Sequence, residues 1–278
     1  MFHNKDHFLT RSPPKGAPLT DPPVVYEKRD RAAYITLNRA GALNALDEST
    51  LAELSARLDD VTHDEEVRAL VLTGAGETFC VGLDIDLLGR AFKDSSYFRD
   101  VLHRFNLLLR KLERLPVPVI AAVNGLARAG GFEIMLACDL VLIAEEARVA
   151  DNHLAFGIVP GGGATQRAPR KLGPQRAREL IFTGRWVEGE EAAEIGLALR
   201  AVPRSELDRS VEELVDQLRP LSRACLAATK RAMNVGADLP LEEALVVEIE
   251  EFMRYLAEVP SSREGYLAFV ERRKPSWP

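Results

Sequence analysis

Residues 119 to 145 read VIAAVNGLARAGGFEIMLACDLVLIAE. The overlapping runs VPVIAAVNG (117 to 125) and DLVLIAEEA (139 to 147) are continuous and apolar, as expected of strands buried on both faces. The first strand ends at Asn124, and a helix starts near Gly130 and continues to about Cys138. Strand, helix and strand within 27 residues set an α/β pattern. Upstream, VRALVLTG (67 to 74) is a third buried-strand run. Two segments leave their strands alike: LVLTGAGETFCVG (70 to 82) and IAAVNGLARAGG (120 to 131) each pass through a Gly turn into a glycine-containing loop. Their separation of about fifty residues suggests a repeat in which strands stack into a superhelix.

Further out, a short strand signal from Val24 and a second one, AAYITLN (32 to 38), predict a hairpin. Asp47 then caps a helix with Leu51, Leu54, Leu58 and Val61 on one face. Phe98, Val101, Leu102, Phe105, Leu108, Leu109 and Leu112 mark another helix between the strands ending near 74 and starting near 117. After Pro203 the pattern becomes helical. Ser205 with Asp208 makes a capping-box-like start to a helix bearing Leu207, Val211, Leu214, Val215 and Leu218, and further helices are expected near 221 to 235, 241 to 257 and 262 to 273. The expected organisation is an extension over 1–23, a core over 24–203, and a helical region over 204–278 that covers a site or makes subunit contacts.

A chain of 278 residues buries a substantial core without disulfides or metals. Hydrophobic residues make up 46% and charged residues 28%, and no stretch approaches the ~20 apolar residues of a membrane span. Cys80, Cys138 and Cys225 are odd in number, with no CxxC spacing, so neither a disulfide framework nor a zinc site is indicated. A reducing cytoplasm is the expected compartment. The first 23 residues hold five prolines and no apolar signal-peptide core, which suggests a flexible extension. A net charge of −6 without a basic tract argues against nucleic acid as the partner.

Chemistry concentrates in three stretches. At Gly130 and Gly131, free N–H groups and the positive end of a helix dipole form a site for developing negative charge. Glu133 lies one turn in, either facing that cavity or simply favouring the helix N-terminus. ETFCVGLDIDLL (77 to 88) has a similar build, although an ordinary strand-to-helix connection reads the same way. DNHLAFGIVPGGG (151 to 163) sets His153 before a run of glycines.

Together, ITLNRAGALNAL (35 to 46), FCVGLDI (79 to 85), residues 119 to 145, GIVPGGGATQR (157 to 167) and EGYLAFVERRKP (264 to 275) resemble the crotonase, or enoyl-CoA hydratase/isomerase, superfamily. The resemblance covers nearly all the chain after residue 24. It implies a ββα superhelix with a helical C-terminal region, assembly as a trimer or dimer of trimers, and acyl-CoA thioester substrates, with coenzyme A as part of the substrate and no metal or redox cofactor. It further implies that the N–H groups of Leu83 and Gly130 hold the thioester oxygen. CoA then runs past Ala42, Leu43 and the loop with Cys80, Gly82, Asp84 and Ile85. Arg39 lies near the phosphates, and Phe269 and Arg272 reach in from a C-terminal helix, often a neighbour's; a solvated role for either arginine stays open. An apolar tail pocket is expected from Leu87, Leu88, Phe132 and Phe156, which are equally at home in a core.

Hydratases of this superfamily use two carboxylates, one holding water and one handling the α-proton. Glu133 matches the first, and His153 stands where the second belongs. Histidine near its ordinary pKa of about 6.5 suits the same acid/base role, while a non-catalytic residue at the pocket mouth is the plainer alternative. Asp151, two residues away, is a candidate to orient the ring, although on an extended loop residues i and i+2 point the same way without necessarily touching. Hydration is the preferred reaction. The alternatives are hydrolysis of a C–C bond in a β-diketone or β-ketoacyl-CoA with His153 as base, enoyl-CoA isomerisation, and non-catalytic acyl-CoA binding.

Overall fold

The computed structural model describes residues 21–278, so the extension expected over 1–23 lies, as far as residue 20, outside the described residues. β1 (Val24–Arg29) and β2 (Ala32–Leu37) form the expected hairpin. Its two turn residues, Asp30 and Arg31, both take positive φ, as a two-residue turn matched to strand twist requires. α1 (Glu48–His63) starts where Asp47 accepts a hydrogen bond from Thr50 N at 2.8 Å, and buries Leu51, Leu54, Leu58 and Val61.

Three strand pairs follow: β3 (Ala69–Gly74) with β4 (Thr78–Cys80), β5 (Val119–Val123) with β6 (Leu126–Arg128), and β7 (Leu140–Ala144) with β8 (Arg148–Ala150). In each pair the chain leaves one sheet, turns a corner of two or three residues, and enters a second sheet. The six-stranded sheet has the order β1-β2-β3-β5-β7-β10 and the four-stranded sheet β4-β6-β8-β9, completed by β9 (Val187–Glu188) and β10 (Arg200–Val202). Stacked coils therefore run parallel through the centre of both sheets. Asn124 joins two successive corners by donating to the carbonyls of Gly74 at 2.8 Å and Gly76 at 3.0 Å. This is the superhelix anticipated from the fifty-residue repeat.

Helices fill the gaps between coils: α2 (Ile85–Ala91), α3 (Ser95–Arg114), α4 (Gly130–Ala137), α5 (Ala164–Leu172), α6 (Pro174–Thr183) and α7 (Gly189–Glu194). α4 is buried along its whole length, consistent with its continuous apolar sequence. α8 (Leu207–Leu218) packs Leu207, Val211 and Val215 into the same core as the strands. Its start departs from the capping box expected at Ser205 and Asp208. Ser205 lies in a 3-10 turn, and Glu206 N donates to Pro203 O at 2.8 Å, so an orphan donor is satisfied by backbone rather than by a side-chain cap. α9 (Arg223–Gly236) and α10 (Leu241–Glu258) pack on each other, and α11 (Glu264–Val270) closes the chain. Among the described residues no helix is long and apolar enough to cross a membrane.

Candidate active site

The site gathers where the corners of the coils meet the start of α4. Leu46 and Leu83 form an isolated parallel bridge in which Leu46 N donates to Gly82 O and Asp84 N donates to Leu46 O. That pattern uses the groups flanking Leu83 and turns its own N–H away from Leu46. Gly130 is the first residue of α4 and has no intrahelical acceptor for its N–H. Among the described residues neither N–H has a backbone partner outside regular helix and strand bonding.

The two segments touch. A side chain at Gly130 would bring its Cβ within 2.9 Å of Gly82 Cα and 3.5 Å of Leu83 N, and one at Gly82 would bring its Cβ within 2.6 Å of Gly130 N, so the Leu83 and Gly130 N–H groups come together only because Gly82 and Gly130 are glycines. Gly82 also has φ of +91°, which no bulky residue adopts comfortably. Just before the helix, Ala129 takes φ +49° and ψ −118°, a strained conformation for alanine that sets the direction of the following peptide.

Glu133 is buried one turn into α4. Its Oε1 accepts from Gly162 N at 2.8 Å and from Ala164 N at 3.1 Å, leaving Oε2 without a donor among the described residues. A Cβ on Gly162 would fall 2.3 Å from Oε2 and 2.4 Å from the Phe105 ring. The glycine run thus lets backbone, rather than side chain, grip the carboxylate. The loop is clamped from both sides: Asn106 Nδ2 donates to Gly161 O at 2.8 Å, and Arg167 Nη1 to Gly162 O at 2.7 Å while its guanidinium pairs with both carboxylate oxygens of Glu113.

Beyond β8 the chain does not stay extended. It turns at Asn152 into a 3-10 helix over His153–Phe156. Because of that turn Asp151 and His153 meet, which an extended loop would not have required: His153 Nδ1 lies 2.6 Å from Asp151 Oδ1, and His153 N donates to the same oxygen at 3.3 Å. A carboxylate only accepts, so the ring proton sits on Nδ1 and Nε2 is the atom left for chemistry. Asp151 is fully buried, and its Oδ2 finds no other protein partner among the described residues.

Burial pushes the Glu133 carboxyl above its usual range. The His153 charge and the Ala164 and Gly162 N–H groups oppose that rise, and the Asp151 charge adds to it. For His153, burial alone lowers the pKa, but the Asp151 hydrogen bond with the charges of Glu133 and Asp151 outweighs it, and the net direction is upward. Glu133 and His153 are therefore close enough to set each other's proton affinity.

The remaining expected residues divide. Ala42 and Leu43 lie on the segment that leads to the Leu46–Leu83 bridge, and that segment is held by Asn44 Nδ2 on Thr78 O at 2.6 Å; beyond the bridge Ile85 is exposed. Arg39 is spent within the chain: it pairs with Asp84 at 3.1 Å and Asp47 at 3.3 Å and donates to Ala45 O, so its guanidinium braces this segment rather than standing free for phosphate. Cys80, Leu87 and Phe132 are buried and keep almost no surface for a ligand to touch, Cys80 and Phe132 within the core of the coil. Leu88 is half-buried, and Phe156 is 54% exposed beside Arg128. Phe269 is 83% exposed. The tail beyond it is anchored by Trp277 Nε1 on Pro220 O and by Arg68 on Pro278 O, at the start of β3 and not at its Gly74 end. Within one chain, Phe269 and Arg272 are not brought to the 80–85 loop.

An open groove of about 500 Å³ lined by Ser95, Phe98, Leu102 and Asn106 adjoins the Gly161 loop. Sequence reading missed it, as it missed Gly162, Ala164 and Arg167. The spacing of Phe98, Leu102 and Asn106 along one face of α3 was the available signal for the groove.

Comparison with known proteins agrees with this architecture. The sequence pattern of the Enoyl-CoA hydratase/isomerase family matches residues 27–278. The short-chain-enoyl-CoA hydratase of Clostridium acetobutylicum is 36% identical over 252 residues, 90% of this chain and 95% of that protein. The crotonyl-CoA hydratase of Syntrophomonas wolfei is 32% identical, covering 91% and 97%. A crystal structure of an enoyl-CoA hydratase from Bacillus anthracis superposes with a TM-score of 0.86 at 33% identity, covering 92% of this chain and 98% of that one. Coiled strand pairs, glycine corners and a carboxylate one turn into a buried helix thus come with likeness along nearly the whole described chain: it belongs to the enoyl-CoA hydratase/isomerase family.

Proposed function

We propose that the protein is a CoA-thioester lyase that adds water across the α,β double bond of an enoyl-CoA. The observation that carries this reading is Glu133, a buried carboxylate gripped through one oxygen by Gly162 and Ala164 and free at the other. In the proposed reaction the Leu83 and Gly130 N–H groups hold the thioester oxygen, and one such donor is worth about 3 to 4 kcal/mol of transition-state stabilisation. Glu133 takes a proton from water as its oxygen bonds to the β-carbon. The electron pair of the double bond moves into the enolate, and His153 Nε2 returns a proton to the α-carbon. His153, held by Asp151, fills the place of a second carboxylate.

CoA runs past Ala42, Leu43, Gly82 and Asp84, with the acyl tail directed toward Leu88 and the α3 groove. A second reading, hydrolysis of a C–C bond in a β-ketoacyl-CoA, draws on the Asp151–His153 pair as base. Self-assembly is supported by the apolar residues Leu241, Leu245, Ile249, Phe252 and Met253, all exposed on α10. In a trimer or dimer of trimers, Phe269 and Arg272 then serve a neighbouring copy's site. The test is a panel of trans-2-enoyl-CoA and β-ketoacyl-CoA thioesters with products identified by mass. Gain of one water by the enoyl substrates supports hydration, and cleavage confined to the β-keto substrates would replace it with the second reading.

A further inference from the structure

Replacing a carboxylate by an aspartate-held histidine beside two free N–H groups does more than preserve a hydratase. Acyl transfer to water needs a base oriented by a third group, a pair of donors aimed at the carbonyl oxygen, and room for water. Asp151 meets His153 Nδ1 at 2.6 Å and leaves Nε2 as the base. Asp151 has no competing side-chain donor among the described residues, and its second oxygen is buried and unpartnered. The free N–H groups of Leu83 and Gly130 supply the donor pair. Resting on the reading that this pocket takes acyl-CoA thioesters, we propose that it also hydrolyses saturated acyl-CoA thioesters, with His153 as base toward the carbonyl carbon and Asp151 as its positioning residue.

The α-carbon lies one C–C bond, about 1.5 Å, from the carbonyl carbon, so a base placed for the one is near a water that attacks the other. Water oxygen bonds to that carbon while its proton passes to His153 Nε2, and the C=O electron pair moves onto the oxygen held by the two N–H groups. The pair then returns, the C–S bond breaks, and the leaving sulfur takes the proton from the imidazolium. Products are a carboxylic acid and the free CoA thiol, with no oxidant, reductant or metal in the balance. A saturated acyl chain has no double bond to hydrate, so it isolates this activity.

The experiment uses the full-length protein with butanoyl-CoA and follows thiol release with a chromogenic disulfide. The expected result is release about 100-fold or more above the enzyme-free rate, falling to background in His153→Ala and at least about tenfold in Asp151→Asn. Butanoyl-CoA binding, read as competitive inhibition of enoyl-CoA hydration, should stay within about threefold in Asp151→Asn, which excludes misfolding. The pH profile separates positioning from mere structure. Neutral His153 is the base, so hydrolysis rises with pH through its pKa. The charged groups acting on its ring are Asp151 on its own segment and Glu133 from α4. Loss of the Asp151 charge must therefore move that rise to lower pH. Butanoyl-CoA that binds competitively but releases no thiol overturns the proposal and leaves the hydratase reading standing. Release that survives in His153→Ala overturns it too. Butanoyl-CoA that neither binds nor is cleaved overturns both.

Discussion

Glu133 and His153 influence one another through their charges, yet they are held by opposite means. Glu133 sits on a buried helix and is fixed by backbone N–H groups of a distant loop, Gly162 and Ala164. His153 sits at the start of a short 3-10 turn and is fixed by a side chain only two residues away. Backbone donors are part of the fold and survive most substitutions, whereas the histidine depends on one carboxylate. The difference predicts that the two halves of the site fail differently.

The largest effect is expected at Glu133. Glu133→Gln preserves an acceptor for Gly162 and Ala164 but removes the base, so kcat for enoyl-CoA hydration should fall about 1000-fold, with KM changed little; steady-state kinetics with a short enoyl-CoA decide it. A loss under tenfold would assign water activation elsewhere. His153→Ala is expected to lower kcat by about 100-fold while affinity for the CoA product stays within a few-fold, as measured by product inhibition. Unchanged turnover would return His153 to the pocket mouth as a bystander.

Asp151→Asn sharpens the contrast, because it should act through pH. The folded pKa of His153 is raised, and in the proposed hydration its protonated form delivers the α-proton. Activity is therefore present below that pKa and lost as pH rises through it. Without the Asp151 charge the alkaline limb moves to lower pH, and kcat at pH 8 should drop about tenfold more than at pH 6. A limb that stays in place would show that Asp151 does not tune the ring. The smallest effect is expected at Ala129, whose φ of +49° is strained. Ala129→Gly relieves about 1 kcal/mol of strain and gives back part of it in unfolded-chain entropy. Thermal unfolding should shift by no more than a few degrees, upward, with turnover within about twofold.

The sequence carried the fold because its signals were periodic and local. Buried-strand runs at 67–74, 117–125 and 139–147 contain β3, β5 and β7, and Asp47 caps α1 as its position suggested. Signals that depend on tertiary approach were illegible. Gly162 looks like any turn glycine until Glu133 Oε2 is found where its Cβ would be, and Arg39 looks like a phosphate ligand until Asp84 and Asp47 close on it. Phe132 and Leu87 suit an acyl pocket or a core equally by residue type, and only packing assigns them to the interior. The Asp151–His153 contact was only half legible, because an extended loop does not require it and the 3-10 turn that follows Ala150 and Asn152 creates it.

In the proposed reaction Glu133 brings water to the β-carbon and His153 brings a proton to the α-carbon of the same thioester. Hydration of a short trans-2-enoyl-CoA in D₂O, with the product analysed by mass and NMR, tests both halves at once. The expected product is a 3-hydroxyacyl-CoA carrying a single deuterium at the α-carbon, formed at full rate by the parent protein and about 100-fold more slowly by His153→Ala. Recovery of a rearranged enoyl-CoA without added water, or of a product formed equally fast by the variant, would contradict it.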